Sequence, residues 1–401
     1  MRSKRLLPLA LIAAMLLVGC AEEPEPVVEP EILTAAGMET YWRFELPLED
    51  DEQLEQIYLL DENLYCITDR SFLYALNAAT GNILWTHDLG EPYQTVFRPS
   101  HYDAMQLTDQ PLTLAEITGD ELLPTLEPFP AVIFNTLNRA FVFDRTSGQV
   151  YRDIDLTFGA SAGNGTDGEY VYIGGTEGRV HAVRLASGTH TWAAPVGAAQ
   201  VQAPAEAYDR WVYVGGQNET FYCFRPGRNE DVEWAQEGLV GNIVAPFHVD
   251  RRGCFVPTTG NRLYAFRPDG GDLLWDQTTG GPLMDPLQVG ANSAFIYARG
   301  DAFHALNITN GQRRWEMPAG RTVLSIADGT VYLRTDANNL RLVDEIQGTA
   351  LRTVPLSGLD LFARNATAPA IYAGSHDGRV YCIKVGEQPR LTPEILRRKP
   401  W

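Results

Sequence analysis

The chain has 401 residues, 45% of them hydrophobic, and 51 acidic side chains against 32 basic ones give a formal net charge of −19 at pH 7. So acidic a surface repels phosphate backbones and anionic lipid head groups, which excludes nucleic acid as a partner and surface charge as a means of membrane attachment. Five cysteines, with no adjacent pair and no Cys-x-x-Cys-His run, exclude a dense disulfide scaffold and covalent haem.

Residues 1–19 read as an export signal. Arg2, Lys4 and Arg5 precede an apolar run from Leu6 to Val18 that is too short to span a bilayer as a stable helix. The run ends in Leu17-Val18-Gly19-Cys20, which resembles the bacterial lipobox. That resemblance implies cleavage before Cys20 and acylation of its side chain and new terminus. Ala21 in the next position resembles lipoproteins sent on to the outer membrane. Residues 20–37 follow as a Pro- and Glu-rich tether with little to bury, which at about 3 Å per residue reaches up to roughly 50 Å.

Residues 38–386 are organised by one repeated pattern. In Leu64 to Trp85, two short apolar runs flank a polar turn, Asn77-Ala-Ala-Thr-Gly81 makes a second turn, and a third run carries Trp85. The position of Ala75, with Gly six and Trp ten residues later, recurs as Val142, Ala182, Cys223, Ala265, Ala305, Leu342 and Cys382. After a first interval of 67, the spacings are 40, 41, 42, 40, 37 and 40 residues. Short strands on a period near forty are the mark of a propeller blade.

The Trp position holds Trp85, Trp192, Trp275 and Trp315, Trp234 falls one residue late, and Arg152 and Arg352 replace it twice. The eighth unit lacks this outer strand, and Glu39 to Pro47 offers one with Trp42 in the matching setting. The expectation is an all-β, eight-bladed β-propeller of four-stranded antiparallel blades, the N-terminal strand completing the last blade and removing its open edge. The six tryptophans are then blade-packing residues, each set against a small cross-strand neighbour.

Ala75-Leu-Asn-Ala-Ala-Thr-Gly81-Asn-Ile-Leu-Trp85, Ala305 to Trp315 and the Val171-Tyr-Ile-Gly-Gly175 type of strand resemble the pyrrolo-quinoline-quinone-like (PQQ-like) propeller repeat. Two kinds of relative carry that repeat. Quinoprotein dehydrogenases hold a quinone and calcium in the central funnel, often beneath a disulfide between adjacent cysteines. The BamB type is a compact lipoprotein scaffold of outer-membrane assembly. Lipobox, tether, compact length and the missing Cys-Cys pair resemble the BamB type.

The resemblance implies a lipid-anchored, periplasm-facing monomeric propeller at the outer membrane. It implies no catalytic residues, no cofactor and no metal, with other envelope proteins as partners. The alternative is a quinone- or carbohydrate-binding enzyme or sensor using the funnel.

Cys66, Cys223, Cys254 and Cys382 remain after Cys20 is set aside. Repeat positions place Cys223 beside Cys254 and Cys66 beside Cys382 on neighbouring blades. Two disulfides or four buried thiols both fit that spacing. His181 and His304 stand where other blades have Tyr, as repeat variants. Glu206, His248, Asp285 and Arg364 fall in innermost strands lining the axis.

The long first interval places its surplus between Glu91 and Pro130, a candidate partner loop through Tyr93, Phe97, Tyr102, Leu122, Leu123 and Phe129. Residues 387–401 form a basic tail, with Thr392-Pro393-Glu394 starting a short helix and Arg397, Arg398 and Lys399 opposed to the acidic body.

Overall fold

A computed structural model describes residues 28–107, 127–226, 231–387 and 390–399. These residues fold into eight four-stranded antiparallel sheets arranged around one axis. Blade 1 is β2 (Leu54–Leu60), β3 (Asn63–Thr68), β4 (Phe72–Asn77) and β5 (Ile83–Asp88). Blade 2 is β6 (Ser100–Met105), β7 (Phe129–Asn135), β8 (Arg139–Asp144) and β9 (Val150–Asp155). Blades 3 to 7 follow in regular order as residues 160–195 (β10 to β13), 206–236 (β14 to β17), 248–278 (β18 to β21), 288–317 (β22 to β25) and 320–355 (β26 to β29).

Blade 8 closes the ring. Its strands are β30 (Leu361–Phe362), β31 (Ala370–Gly374) and β32 (Arg379–Val385), and β1 (Met38–Glu45) adds the outer edge. Trp42 pairs with Cys382 in that sheet, as the repeat register expects. The same contact recurs in five further blades, where the small residue and the bulky one are direct cross-strand partners: Ala75 with Trp85, Ala182 with Trp192, Cys223 with Trp234, Ala265 with Trp275, Ala305 with Trp315.

The indole then reaches the next blade. Gly148 lies so close under Trp85, Gly271 under Trp234, Gly311 under Trp275, Gly348 under Trp315 and Gly81 under Trp42 that an added Cβ would collide with the ring. Each of these glycines also holds a positive φ of 71° to 75°, so the turn needs glycine for its backbone as well as for the indole above it. The indole N–H completes the joint by donating to a carbonyl of that neighbouring turn: Trp85 to Arg145, Trp275 to Ile308 and Trp315 to Glu345, at 2.9, 3.1 and 2.9 Å. At the seam Trp42 does the same to Ala78 at 2.9 Å.

The turn itself is built by its first residue. Asn77 Oδ1 accepts the N–H groups of Ala79 and Thr80, Asp144 and Asp344 repeat that geometry, and Asn307 accepts the Thr309 N–H. Where Arg152 replaces the tryptophan, its guanidinium donates to the Leu185 and Ala186 carbonyls of blade 3, both at 3.2 Å. The substitution keeps the interblade hydrogen bonding and drops the ring. Arg352 of blade 7 instead donates to the Ala35 carbonyl of α1 (Pro30–Ala35).

Two boundaries differ from the sequence reading. The last part of the expected tether is docked: Val28 and Leu33 are buried against blades 7 and 8, because α1 turns one apolar face inward. The expected loop over residues 91–130 is interrupted by β6, the innermost strand of blade 2.

Candidate functional site

Antiparallel strands reverse at each turn, which sorts the loops between two faces. First-to-second and third-to-fourth strand turns open on one face of the ring, and second-to-third turns and blade-to-blade links open on the other. The innermost strands line the axis, and four of them are short: β14 (Glu206–Tyr208), β18 (His248–Asp250), β22 (Gln288–Val289) and β30 have three, three, two and two residues. Pro99, Pro204, Pro246 and Pro286 precede inner strands. Proline brings no N–H that would need a partner beside a wet axis.

The axial cavity has a volume of about 540 Å³ and is lined by Arg98, His101, Glu206, His248, Gln288 and Arg364 among others. Most of its polar groups are committed. Glu206 accepts the Val249 N–H at 2.8 Å, and burial pushes its carboxyl up despite the nearby His248 and Arg98. His248 contacts Asp250 at 2.9 Å, and Asp250 also holds Arg252 at 2.6 Å. Gln288 is bonded at both ends to the backbone of Val323, at 2.7 and 2.8 Å.

Two groups are not committed. Neither Arg98 nor Arg364 has an ion pair or side-chain hydrogen bond among the described residues. Arg364 faces the water of the channel yet is encircled by protein, and that encirclement, with the charge of Arg98 beside it, lowers its pKa. Both guanidinium groups act on the Tyr58 hydroxyl, whose pKa is raised by burial. Asp285, expected on the axis, is engaged by Arg299 at 2.8 Å.

At one mouth of this cavity lies the C-terminal tail, whose Leu396 and Lys399 also line it. Thr392 caps α2 (Pro393–Leu396) through its hydroxyl at 3.4 Å, as its sequence suggests. Leu391 and Leu396 are buried on blades 1 and 8. The basic residues meet acids of the β2–β3 turn: Arg397 pairs with Glu62, and Lys399 with Asp61 at 3.2 Å.

Beneath them Arg145, 1% exposed, contacts Glu62 at 3.3 Å and donates to Asp103 at 2.8 Å. His101 bridges Asp61 and the Tyr65 hydroxyl, both at 2.9 Å. Three acids and one buried arginine leave this cluster short of two positive charges, and Arg397 and Lys399 supply them. Burial opposes the charge on Asp61, but the His101 hydrogen bond and the Lys399 charge outweigh it and hold the carboxyl well below the usual range.

The candidate partner loop fares differently residue by residue. Phe129 is 5% exposed in β7, and Phe97 and Tyr102 pack against the same core. These three are therefore corrected from partner contacts to blade packing: the stretch supplies strands of blade 2, and their rings turn onto the core it shares with blade 3. Tyr93 is 77% exposed on the link between blades 1 and 2. Leu122, Leu123 and Cys20 lie outside the described residues.

Leu137, Val240 and Met284, absent from the sequence expectations, are exposed on the same face as Tyr93: Leu137 on a second-to-third strand turn, the other two on blade-to-blade links. Isolated apolar residues in loops carry no periodic signal, so only their common face groups them.

Cys66, Cys223, Cys254 and Cys382 are free, buried thiols, the second of the two states that the spacing allows. Each expected pair does share a core cluster, Cys66 with Cys382 and Cys223 with Cys254. Burial pushes the Cys223 thiol up to about 12. His181 touches Glu177 and His190, and His304 touches Asp301 at 2.8 Å, all within single blades. No group of three or more metal-type ligands occurs among the described residues.

The family described as outer membrane protein assembly factor BamB matches residues 138–239 and 229–396. No curated protein matches the chain. Among solved structures, BamB from Moraxella catarrhalis superposes with a TM-score of 0.62 over 86% of this chain and 99% of its own, at 15% identity. The computationally designed Ika8 protein superposes with a TM-score of 0.61 over 85% of this chain and 98% of its own, at 14% identity. At such identities the likeness establishes the fold.

Proposed function

This chain belongs to the family of the outer membrane protein assembly factor BamB, and we propose from that premise that it is a lipid-anchored, non-enzymatic scaffold for envelope proteins, held through Cys20 at the periplasmic side of the outer membrane. The family match carries the reading. The surface supports it: Tyr93, Leu137, Val240 and Met284 project from one face of a ring whose other face carries the docked tail. Exposed apolar side chains on rigidly held loops suit contact with another folded protein. An acidic body attracts basic partners and leaves attachment to lipid at the terminus.

The test is affinity capture from crosslinked envelopes with the full chain and with a Val240→Glu/Met284→Glu variant. The same envelope proteins should be recovered with the wild type and depleted at least tenfold with the variant. Cys20→Ser should move the chain from the membrane to the soluble fraction. Equal recovery by the two chains, or unchanged fractionation of Cys20→Ser, would refute the corresponding half of the reading.

A further inference from the structure

We infer that the axial cavity is a binding site for a small ligand bearing carboxylate or phosphate oxygens, clasped between the guanidinium groups of Arg98 and Arg364. This stands apart from the scaffold reading, because it concerns the axis and not the face that meets proteins.

The first ground is charge. The chain carries a net −19, and its arginines are mostly engaged: Arg139 with Asp153, Arg252 with Asp250, Arg262 with Asp276, Arg299 with Asp285, Arg321 with Asp336. Arg98 and Arg364 face one cavity with no carboxylate paired to either. The acids around them are occupied. Glu206 takes a backbone N–H and lies beside His248, Asp285 is held by Arg299, and Asp61 by His101 and Lys399. Asp285 and Glu206 act on the pair only from a distance, and two like charges beside one cavity with no carboxylate in contact repel each other more than they would in open water. An anion between them removes that repulsion.

The second ground is geometry. A cavity of about 540 Å³ matches a small molecule and is too small for a folded element of a partner. Its walls mix apolar side chains such as Leu59, Phe247 and Leu287 with Arg98, His248 and Arg364, so a ligand there needs charge for the arginines as well as surface for the rest. Guanidinium forks present paired N–H donors that match carboxylate and phosphate oxygens two at a time. Tyr58, whose hydroxyl donates to Gln56 at 3.0 Å, is acted on by both arginines, which places the two guanidinium groups near one point. The tail lines the cavity through Leu396 and Lys399.

The experiment is isothermal titration of the full chain at low ionic strength with two probes, inorganic phosphate and citrate, against wild type, Arg98→Gln, Arg364→Gln and Arg267→Gln. Arg267 lies on a surface turn away from the axis and serves as the control. At least one probe should bind one-to-one, with affinity reduced about tenfold or more in Arg98→Gln and in Arg364→Gln and unchanged in Arg267→Gln.

Binding of phosphate alone assigns a phosphate ligand, and binding of citrate alone assigns a polycarboxylate. Thermal melts guard against misfolding. Without anion both axial variants should melt no lower than wild type, and the bound probe should raise the midpoint of wild type and Arg267→Gln but not of the axial variants. If Arg364→Gln fails to fold, the solvent-exposed Arg98 carries the test alone. Failure of both probes to bind at millimolar concentration, or equal binding by wild type and axial variants, overturns the inference.

Discussion

Replacing Trp275 by alanine tests the joint that the ring repeats. Trp275 is 8% exposed, pairs across the sheet with Ala265, rests on Gly311 of blade 6 and donates to the Ile308 carbonyl at 3.1 Å. Its ring also packs against Phe255 at 5.9 Å between centroids. Truncating a buried tryptophan costs about 3–5 kcal/mol, and the carbonyl it leaves behind gains no new donor. Residues 38–386 unfold with an entropy near 2.1 cal/mol/K per residue, about 0.7 kcal/mol/K in all, so a loss of about 4 kcal/mol lowers the midpoint by roughly 5–6 °C. Differential scanning calorimetry on wild type, Trp275→Ala and Trp275→Phe separates the two parts. The phenylalanine keeps most of the ring contact and loses the hydrogen bond, so it should fall about 1–3 kcal/mol below wild type. An alanine variant melting within 1 °C of wild type would show that the indole is not what joins the blades.

Arg152 does by hydrogen bonding what tryptophan does elsewhere, so Arg152→Met, which keeps the chain length and loses both bonds to blade 3, should cost about 2–3 kcal/mol by urea unfolding. Arg152→Trp should recover part of that loss. The Asp61 carboxyl is held below its ordinary range in the folded state, so its contribution is present above about pH 4 and disappears as pH falls further. Melting from pH 6 to pH 3 should therefore be steeper for wild type than for Asp61→Asn, which starts lower because Lys399 and His101 lose their partner. The four buried thiols should resist a thiol reagent at pH 8 in the native protein and titrate as four after unfolding without reductant; fewer than four would restore the disulfides.

What was readable in the sequence follows one physical rule: a residue type whose spacing repeats reports a contact that repeats. The small cross-strand slot, the turn glycine and the tryptophan recur because every blade needs them, and so the eight sheets and the return of β1 to blade 8 could be expected. The second partner of each tryptophan was not readable, because the glycine beneath it belongs to the following repeat and adjacency between blades exists only after the ring closes. For the same reason Arg152 looked like a lost tryptophan when it is a replacement.

The inner strands were the weakest signal. Four of them run only two or three residues beside water, too short for alternation to show, and the six-residue β6, whose burial does not alternate, reads as part of a loop. That misassignment concealed the most informative residue of the axis. Arg98, immediately before β6, was counted among loop residues, while Arg364 was placed on the axis. Only the folded ring sets the two side by side. The repeat thus encodes the scaffold, and what departs from it at the axis is where this particular chain differs from a generic ring. A designed propeller superposes on it almost as well as a natural relative does, so the fold alone asks nothing of residues 98 and 364. An uncompensated pair of arginines in an acidic protein has to be explained by something other than the architecture, and an anion on the axis explains it.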